Sequence, residues 1–81
     1  MKKHTLIVGG TRGIGRVLAK TLAAEDHNLS VIGRREPAES DRDVPNVRYW
    51  ILDLMDEERL TSALPEIVRY HGKIDNIVFL Q

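Results

Sequence analysis

The sequence predicts an α/β fold built around a parallel sheet, and three observations support this prediction. Short apolar runs alternate with amphipathic stretches along all 81 residues, as in chains whose strands are joined by helices. The first apolar run, residues 5–8, is continuous, which is typical of a strand buried on both faces of a parallel sheet. A glycine-rich segment, residues 9–15, joins this run to the first amphipathic stretch. The length leaves room for a single domain.

The first helix is predicted from Ile14 to about Asp26. Residues at the spacing of a core-facing helical stripe are Ile14, Val17, Leu18, Thr21 and Leu22. Asn28 is expected to stop this helix in a left-handed conformation.

A second strand, a loop and a third strand follow. Residues 29–33 are short and apolar and predict the second strand. Residues 34–46 contain two prolines and many charges, which predict a solvated loop. Residues 47–52 are β-branched and aromatic enough to predict the third strand.

A second helix and a fourth strand complete the chain. Asp56 is the expected N-cap of the helix. The buried stripe is expected to consist of Leu60, Ala63, Leu64 and Ile67. Pro65 lacks a backbone donor and clashes with the carbonyl four residues earlier, so we expect it to kink or split the helix. The helix should end at residues 71–72, and residues 74–80 should form the last strand.

The topology follows from the handedness of the connections. Right-handed crossovers place the strands in the order 3-2-1-4, with the first helix on one face of the sheet and the Pro65 helix on the other. This arrangement is a partial doubly wound parallel sheet. The fourth strand is then an uncovered edge, and such edges invite pairing with another chain.

Composition and charge narrow the range of functions. Twelve basic residues balance twelve acidic ones, so no net charge is available to hold nucleic acid or an anionic membrane. The absence of cysteine excludes a disulfide framework and a cysteine-based zinc site. The three histidines lie far apart in the sequence, so we expect them at the surface rather than on a metal. The first apolar run is too short for a signal peptide or a membrane span, which favours a cytoplasmic protein.

The glycine-rich segment is the motif that carries chemistry. A dinucleotide pyrophosphate requires a tight turn that aims free helix N–H groups at it, a bare backbone and a helix start close to the strand. Gly9, Gly13 and Gly15 have the spacing for these three roles. The alternative is that the glycines only form a tight strand-to-helix turn. A P-loop is disfavoured, because Arg16 and Val17 follow where Lys and Ser or Thr are needed.

The residues after the second strand indicate which dinucleotide is bound. An acidic residue at this position bonds the ribose 2′-hydroxyl of NAD, whereas arginine accommodates the 2′-phosphate of NADP. Here Arg34 and Arg35 follow the strand, and Arg12 in the glycine turn could share the phosphate. The alternative is that Arg34 and Arg35 open a solvated loop and pair with Glu36 or Glu39. Together with the glycine turn, they favour NADP over NAD.

Over nearly its whole length the chain resembles the N-terminal half of a short-chain dehydrogenase/reductase. The family's Thr-Gly-x-x-x-Gly-x-Gly turn resembles residues 8–15, with Val8 in place of Thr, and its Asp after the third strand resembles Asp53. The resemblance implies a Rossmann-like fold. The cofactor-binding residues that follow from the motifs together with the resemblance are Gly9, Thr11, Arg12, Gly13, Ile14, Gly15, Arg34, Arg35, Asp53 and Leu54.

Two departures from the family concern its helix and its fourth strand. The segment 34–46 is too short and too broken by proline for the full helix that normally follows the second strand. Residues 79–81 are Phe-Leu-Gln, where family members commonly have Asn-Asn-Ala-Gly.

The family's catalytic Tyr-x-x-x-Lys is not found in this sequence. The residues four positions after Tyr49 and Tyr70 are Asp53 and Ile74, and Ser30 has no acid–base partner that the sequence identifies. We therefore expect residues 1–81 to be the N-terminal part of one NADP-binding domain, without catalytic residues and inactive alone. The parent reductase would transfer hydride between NADPH and a small carbonyl or alcohol, as a homo-oligomer or paired through its fourth strand. The alternatives are a complete non-catalytic NADP-binding or oligomerising module and a fragment that binds nothing.

Overall fold

A computed structural model describes residues 2–9 and 11–80 of the chain. Gly10, which belongs to the predicted glycine turn, and Gln81, which belongs to the departure at residues 79–81, lie outside the described residues. The helices and strands, in chain order, are β1 (His4–Val8), α1 (Gly13–Ala24), β2 (Asn28–Gly33), β3 (Val47–Ile51), α2 (Glu57–His71) and β4 (Asn76–Phe79).

The four strands form one parallel sheet in the order β3-β2-β1-β4, which confirms the predicted order. In the register, Leu6 lies beside Ser30 of β2 and Ile77 of β4. Every residue of β1 is buried, which explains why its apolar run is continuous rather than alternating.

The two helices cover opposite faces of the sheet, as predicted. On one face, Leu6 and Val8 pack in a cluster with Ala63 and Ile67 of α2. On the other face, Ile7 packs with Leu29 and Val31 of β2 and with Ala19 of α1. Since successive side chains of a strand point to opposite faces, β1 contributes to both clusters.

Helix α1 packs through only part of the predicted stripe, because Leu18 and Leu22 pack against the core while Ile14 and Val17 do not. Its buried residues are Gly15 and Ala19, whereas Ile14 and Val17 are 79% and 64% exposed. Glycine at position 15 and alanine at position 19 are small enough for the helix to lie close to the sheet, and the residues that pack beside them are Leu18, Leu22 and Ala23. Here side-chain size, rather than hydrophobicity alone, decides which face of the helix is buried.

The end of α1 also differs from the prediction. Asp26, rather than Asn28, has a positive φ, 65°. Asn28 already belongs to β2, and its N–H donates to the Lys3 carbonyl at 2.9 Å. The strand pairing therefore outweighs the preference of asparagine for a helix stop.

Helix α2 begins as predicted but is not broken by its proline. The Asp56 Oδ1 accepts a hydrogen bond from the Arg59 N–H at 3.1 Å, which confirms the N-cap. Pro65 lies inside the continuous helix Glu57–His71. Pro65 and Thr61, whose carbonyl loses its partner, are both exposed, so water can satisfy that carbonyl. Gly72 ends the helix with φ 84°.

The segment between β2 and β3 contains one short 3-10 helix, Glu39–Asp41, which confirms that the full helix is missing. The prediction that the whole segment is solvated is wrong, because Pro37 and Asp41 are buried. The Asp41 carboxylate lies against Arg16 of α1.

The sequence predicted His4 at the surface, but the structure buries it within the fold. The residue is 1% exposed, and its ring has Nδ1 2.9 Å from the Gly72 carbonyl oxygen and Nε2 2.7 Å from Ser30 Oγ. Ser30 therefore has a histidine partner that the sequence did not identify. His4 opens β1, whereas the glycine turn follows the other end of that strand, so this contact lies away from the predicted cofactor site.

Candidate cofactor site

A cleft of about 440 Å³ opens at the carboxyl ends of β1 and β2. In open parallel sheets, ligands bind in such crevices, where neighbouring strands connect to opposite faces. The cleft is lined by Gly9, Thr11, Arg12, Ile32, Gly33, Arg34, Arg35, Leu54 and Leu80. Six of the predicted cofactor-binding residues thus meet in one place: Gly9, Thr11, Arg12, Arg34, Arg35 and Leu54.

Gly9 lies where the ends of β1, β2 and β4 meet. Its N–H donates to the Ile32 carbonyl at 2.7 Å, and the Leu80 N–H donates to the Val8 carbonyl at 2.8 Å. Gly9 has φ 94°, and a β-carbon at this position would collide with the Leu80 carbonyl oxygen. Glycine is therefore required here both by the backbone conformation and by the space available.

The start of α1 leaves helix N–H groups free for an anion. Arg12 is the N-cap, with an extended backbone and no side-chain hydrogen bond to the helix, and the first turn contains no acidic residue. The first intrahelical bond of this turn runs from the Arg16 N–H to the Arg12 carbonyl at 3.3 Å. The N–H groups that precede it have no intrahelical acceptor and lie at the positive end of the helix dipole.

Gly13, Ile14 and Gly15 belong to this helix start but do not line the cleft. Gly13 has φ 58°, and a β-carbon there would meet no atom within 4 Å. Gly15 is buried, and Ile14 is exposed. Their predicted roles at a pyrophosphate depend on the free N–H groups of the helix rather than on their side chains.

Three arginines give the cleft its positive charge. Arg34 and Arg35 are both exposed and line the cleft together with Arg12. Within residues 2–9 and 11–80, neither Arg34 nor Arg35 forms an ion pair, and Glu36 instead pairs with Arg42 at 3.8 Å. The predicted pairing of Arg34 or Arg35 with a nearby glutamate is therefore not found in this part of the chain.

Asp53 lies outside the lining of the cleft and forms a local turn. Its Oδ1 accepts from the Met55 N–H at 2.9 Å, and its carbonyl accepts from the Asp56 N–H at the same distance. Leu54, the next residue, does line the cleft. The predicted contact of Asp53 with the cofactor stays a prediction.

The sequence did not predict Ile32, Gly33 and Leu80 as lining residues. Gly33 is the last residue of β2, directly before Arg34, and its position at the carboxyl end of a parallel strand is the signal that could have identified it. Leu80 enters the site because β4 lies beside β1, with Val8 paired to Phe79.

Comparison with known proteins identifies the family. The sequence model described as short chain dehydrogenase matches residues 3–79. The chain belongs to the short-chain dehydrogenase family. Its parallel sheet in the order 3-2-1-4 is the Rossmann-like arrangement of the solved family members that it matches.

Individual short-chain dehydrogenases are similar over most of the chain. Benzil reductase, the (S)-benzoin-forming enzyme of Saccharomyces cerevisiae, is 37% identical over 84 residues, covering 96% of this chain and 32% of that protein. A 3-oxoacyl-[acyl-carrier-protein] reductase of Staphylococcus aureus is 31% identical, covering 96% and 35%. The solved structure of ElxO with NADP bound is 30% identical with a TM-score of 0.78, covering 99% and 35%.

The chain spans about a third of the length of these family members. The region matched by the family model contains the whole described sheet and, apart from Leu80, the residues that line the cleft. None of the helices described in residues 2–9 and 11–80 has the length and apolar character needed to cross a membrane.

Proposed function

We propose that this chain is the NADP-binding part of an oxidoreductase that transfers hydride between NADPH and a small carbonyl or alcohol substrate. The observation that carries the proposal is the set of three arginines on the cleft, Arg12, Arg34 and Arg35, with no carboxylate among the lining residues. Arginine binds phosphate through charge-assisted hydrogen bonds, whereas a cleft built for NAD would offer a carboxylate to the ribose 2′-hydroxyl.

The cofactor would lie along the carboxyl edge of the sheet. The pyrophosphate would bind at the start of α1, where the helix N–H groups are free and the dipole favours an anion. The 2′-phosphate would bind between Arg12 and the Arg34–Arg35 pair. Leu54 would contact the adenine ring from the other side of the cleft, with Asp53 beside it.

Bound NADPH supplies the hydride, and the residues of this chain bind and orient the cofactor. Gly9 brings the backbone of the turn close to the ends of β2 and β4, which fixes the floor of the cleft. The family's Tyr-x-x-x-Lys is not in the sequence, so the proton donor to the substrate carbonyl would come from residues outside this chain. We therefore propose that residues 1–81 are the N-terminal part of one NADP-binding domain and are inactive alone.

Related proteins support this proposal. ElxO was solved with NADP bound, and the yeast and staphylococcal relatives are named as reductases. Their names give different substrates, benzil in one and a 3-oxoacyl-[acyl-carrier-protein] in the other, so the substrate proposed here is limited to its class. A cytoplasmic location stays a prediction, which fractionation of the producing cells would check.

A second candidate is a non-catalytic NADP-binding or oligomerising module. The observation that favours it is the exposed apolar side chains of β4, where Ile77 is 64% and Phe79 61% exposed. An apolar strand at the edge of a sheet can pair with a second chain. In this candidate, or in an oligomeric reductase, Ile77 and Phe79 would lie in an interface between subunits.

One experiment tests the main proposal. The intact mass of the protein purified from its source is measured, and the same sample is titrated with NADPH and NADH while nicotinamide fluorescence is followed. A mass well above 9.2 kDa together with tighter binding of NADPH is the expected result. A mass of 9.2 kDa with NADPH binding would favour the second candidate, and no binding of either nucleotide would contradict both.

A further inference from the structure

We infer that Arg16 and Asp41 form a positioning pair that fixes the segment carrying Arg34 and Arg35 and thereby sets the preference for a 2′-phosphate. This inference rests on the proposed function, because it concerns how the arginines of the cleft are held. Neither Arg16 nor Asp41 lines the cleft. The pair would act on the phosphate-binding side chains indirectly, through the backbone that connects Asp41 to Arg34 and Arg35.

The geometry of the pair is that of a fork. Arg16 Nε donates to Asp41 Oδ2 at 2.7 Å, and a terminal nitrogen of the same guanidinium donates to Oδ1 at 3.4 Å. The Asp41 side chain is 4% exposed, whereas that of Arg16 is 40% exposed. The hydrogen bond from Arg16 lowers the pKa of Asp41 despite its burial. A buried carboxylate of this kind needs its partner, because an unpaired charge in the interior is costly.

The segment that this pair holds has little regular structure. Between β2 and β3 it contains only one turn of 3-10 helix, which ends at Asp41. At its far end, Asn46 Nδ2 donates to the carbonyls of Ala23 and His27. Arg16 and Asp41 therefore provide a fixed point part-way along the segment. A second, longer contact reaches the same carboxylate from Lys20 of α1, whose Nζ lies 3.9 Å from Asp41 Oδ1. Loss of the Asp41 carboxylate would therefore remove both of these charged contacts between the segment and α1.

The same arginine is also connected to the glycine turn. The Arg16 N–H donates to the carbonyl of Arg12, one helical turn earlier. One residue thus joins the two segments that carry the positive charges of the cleft, Arg12 on the turn and Arg34 with Arg35 on the loop. Its own charge is neutralised by Asp41, so Arg16 serves to position the other arginines rather than to bind phosphate.

The test compares two nucleotides that differ only by the 2′-phosphate, 2′,5′-ADP and 5′-AMP, as ligands of the chain and of any longer protein that carries it. In Asp41→Asn, the affinity for 2′,5′-ADP should fall about threefold to thirtyfold while that for 5′-AMP stays unchanged. Arg16→Lys, which keeps the charge but loses the fork, should lose less than Arg16→Gln.

A matched control removes an ion pair elsewhere in the chain, between the residues that precede β1 and those that follow α1. Asp26→Asn deletes the exposed pair with Lys2, 3.0 Å apart, and should leave both affinities unchanged. The selectivity ratio is the affinity for 2′,5′-ADP divided by that for 5′-AMP. If this ratio in Asp41→Asn equals that of the control, or if both affinities fall equally, the inference is overturned. If Asp41→Asn does not fold, the same selectivity ratio is measured in Arg16→Lys and Arg16→Gln and compared with that of the control.

A second measurement separates this inference from the proposed function. The backbone N–H groups of positions 41 and 42 donate to the Ala38 and Glu39 carbonyls at 2.8 and 3.3 Å. Without ligand, and after correction for intrinsic rates, hydrogen exchange of these two amides should become faster in Asp41→Asn and not in Asp26→Asn. If the unsubstituted chain does not distinguish 2′,5′-ADP from 5′-AMP, the proposed NADP assignment fails, while the exchange result still shows whether the pair fixes the segment. Unchanged exchange in Asp41→Asn overturns the positioning role.

Discussion

Gly33 and Thr11 lie so close together that a β-carbon on Gly33 would be 2.6 Å from Thr11 Cγ2 and 2.9 Å from its Oγ1. Both residues line the cleft, and Thr11 is buried. The last residue of β2 therefore has to be small if the glycine turn is to rest against it. This contact joins the turn to the strand end from which Arg34 and Arg35 follow.

Gly33→Ala is expected to destabilise the fold by about 1–3 kcal/mol, because the added methyl group overpacks the contact with Thr11. Urea unfolding followed by circular dichroism measures the change. The double variant Gly33→Ala with Thr11→Ala should recover part of the loss, since the two nearest atoms are removed. If the double variant is no more stable than Gly33→Ala alone, crowding against Thr11 is not the cause.

Two glycines of the turn should tolerate alanine very differently. At Gly13 the positive φ alone opposes a side chain, so Gly13→Ala should cost about 1–2 kcal/mol. At Gly9 the positive φ combines with a collision with the Leu80 carbonyl, so Gly9→Ala should cost more and should disturb the pairing of β1 with β4. Unfolding curves of the two variants make the comparison, and equal costs would contradict it.

The sequence predicted the strand order and six of the residues that line the cleft, because both depend on local pattern and on general rules of connection. It failed where two patterns competed or where a partner lay far along the chain. Ile14 and Val17 fit a helical stripe as well as Gly15 and Ala19 do, and only packing against the sheet distinguishes them. Asp41 lies 25 residues from Arg16, so its burial had no local indication.

Arg34→Ala should weaken the binding of NADPH far more than that of NADH. Loss of a hydrogen bond between charged groups corresponds to about 1.5–3 kcal/mol, or about tenfold to a hundredfold in affinity for NADPH. Nicotinamide fluorescence titrations with both nucleotides measure the ratio. Arg42→Ala, on the same segment but paired with Glu36 and outside the cleft lining, is the control and should leave the ratio unchanged. Equal losses for both nucleotides in Arg34→Ala would exclude a 2′-phosphate contact.

His71 should make the stability of the fold dependent on pH below neutrality. Burial, followed by the charge of His4, lowers the pKa of His71 below its ordinary value of 6.5. The two rings lie 5.1 Å apart, and His71 Nε2 is buried without a hydrogen-bond partner among residues 2–9 and 11–80. The folded state therefore favours the neutral ring, whereas the unfolded chain takes up a proton near pH 6.5.

The sign of the dependence follows from this difference in proton binding. The stabilisation is fully present above pH 6.5 and is lost as the pH falls below that value towards the lowered pKa of the folded state, because the unfolded chain binds more protons in this range. Urea unfolding at a series of pH values measures the slope. His71→Gln should flatten the slope in this range, while His27→Gln, which leaves His71 in place, should retain it. The lowered pKa values of Asp41 and Asp75 act separately, below their ordinary value of 3.8. A slope that persists in His71→Gln would assign the dependence to another group.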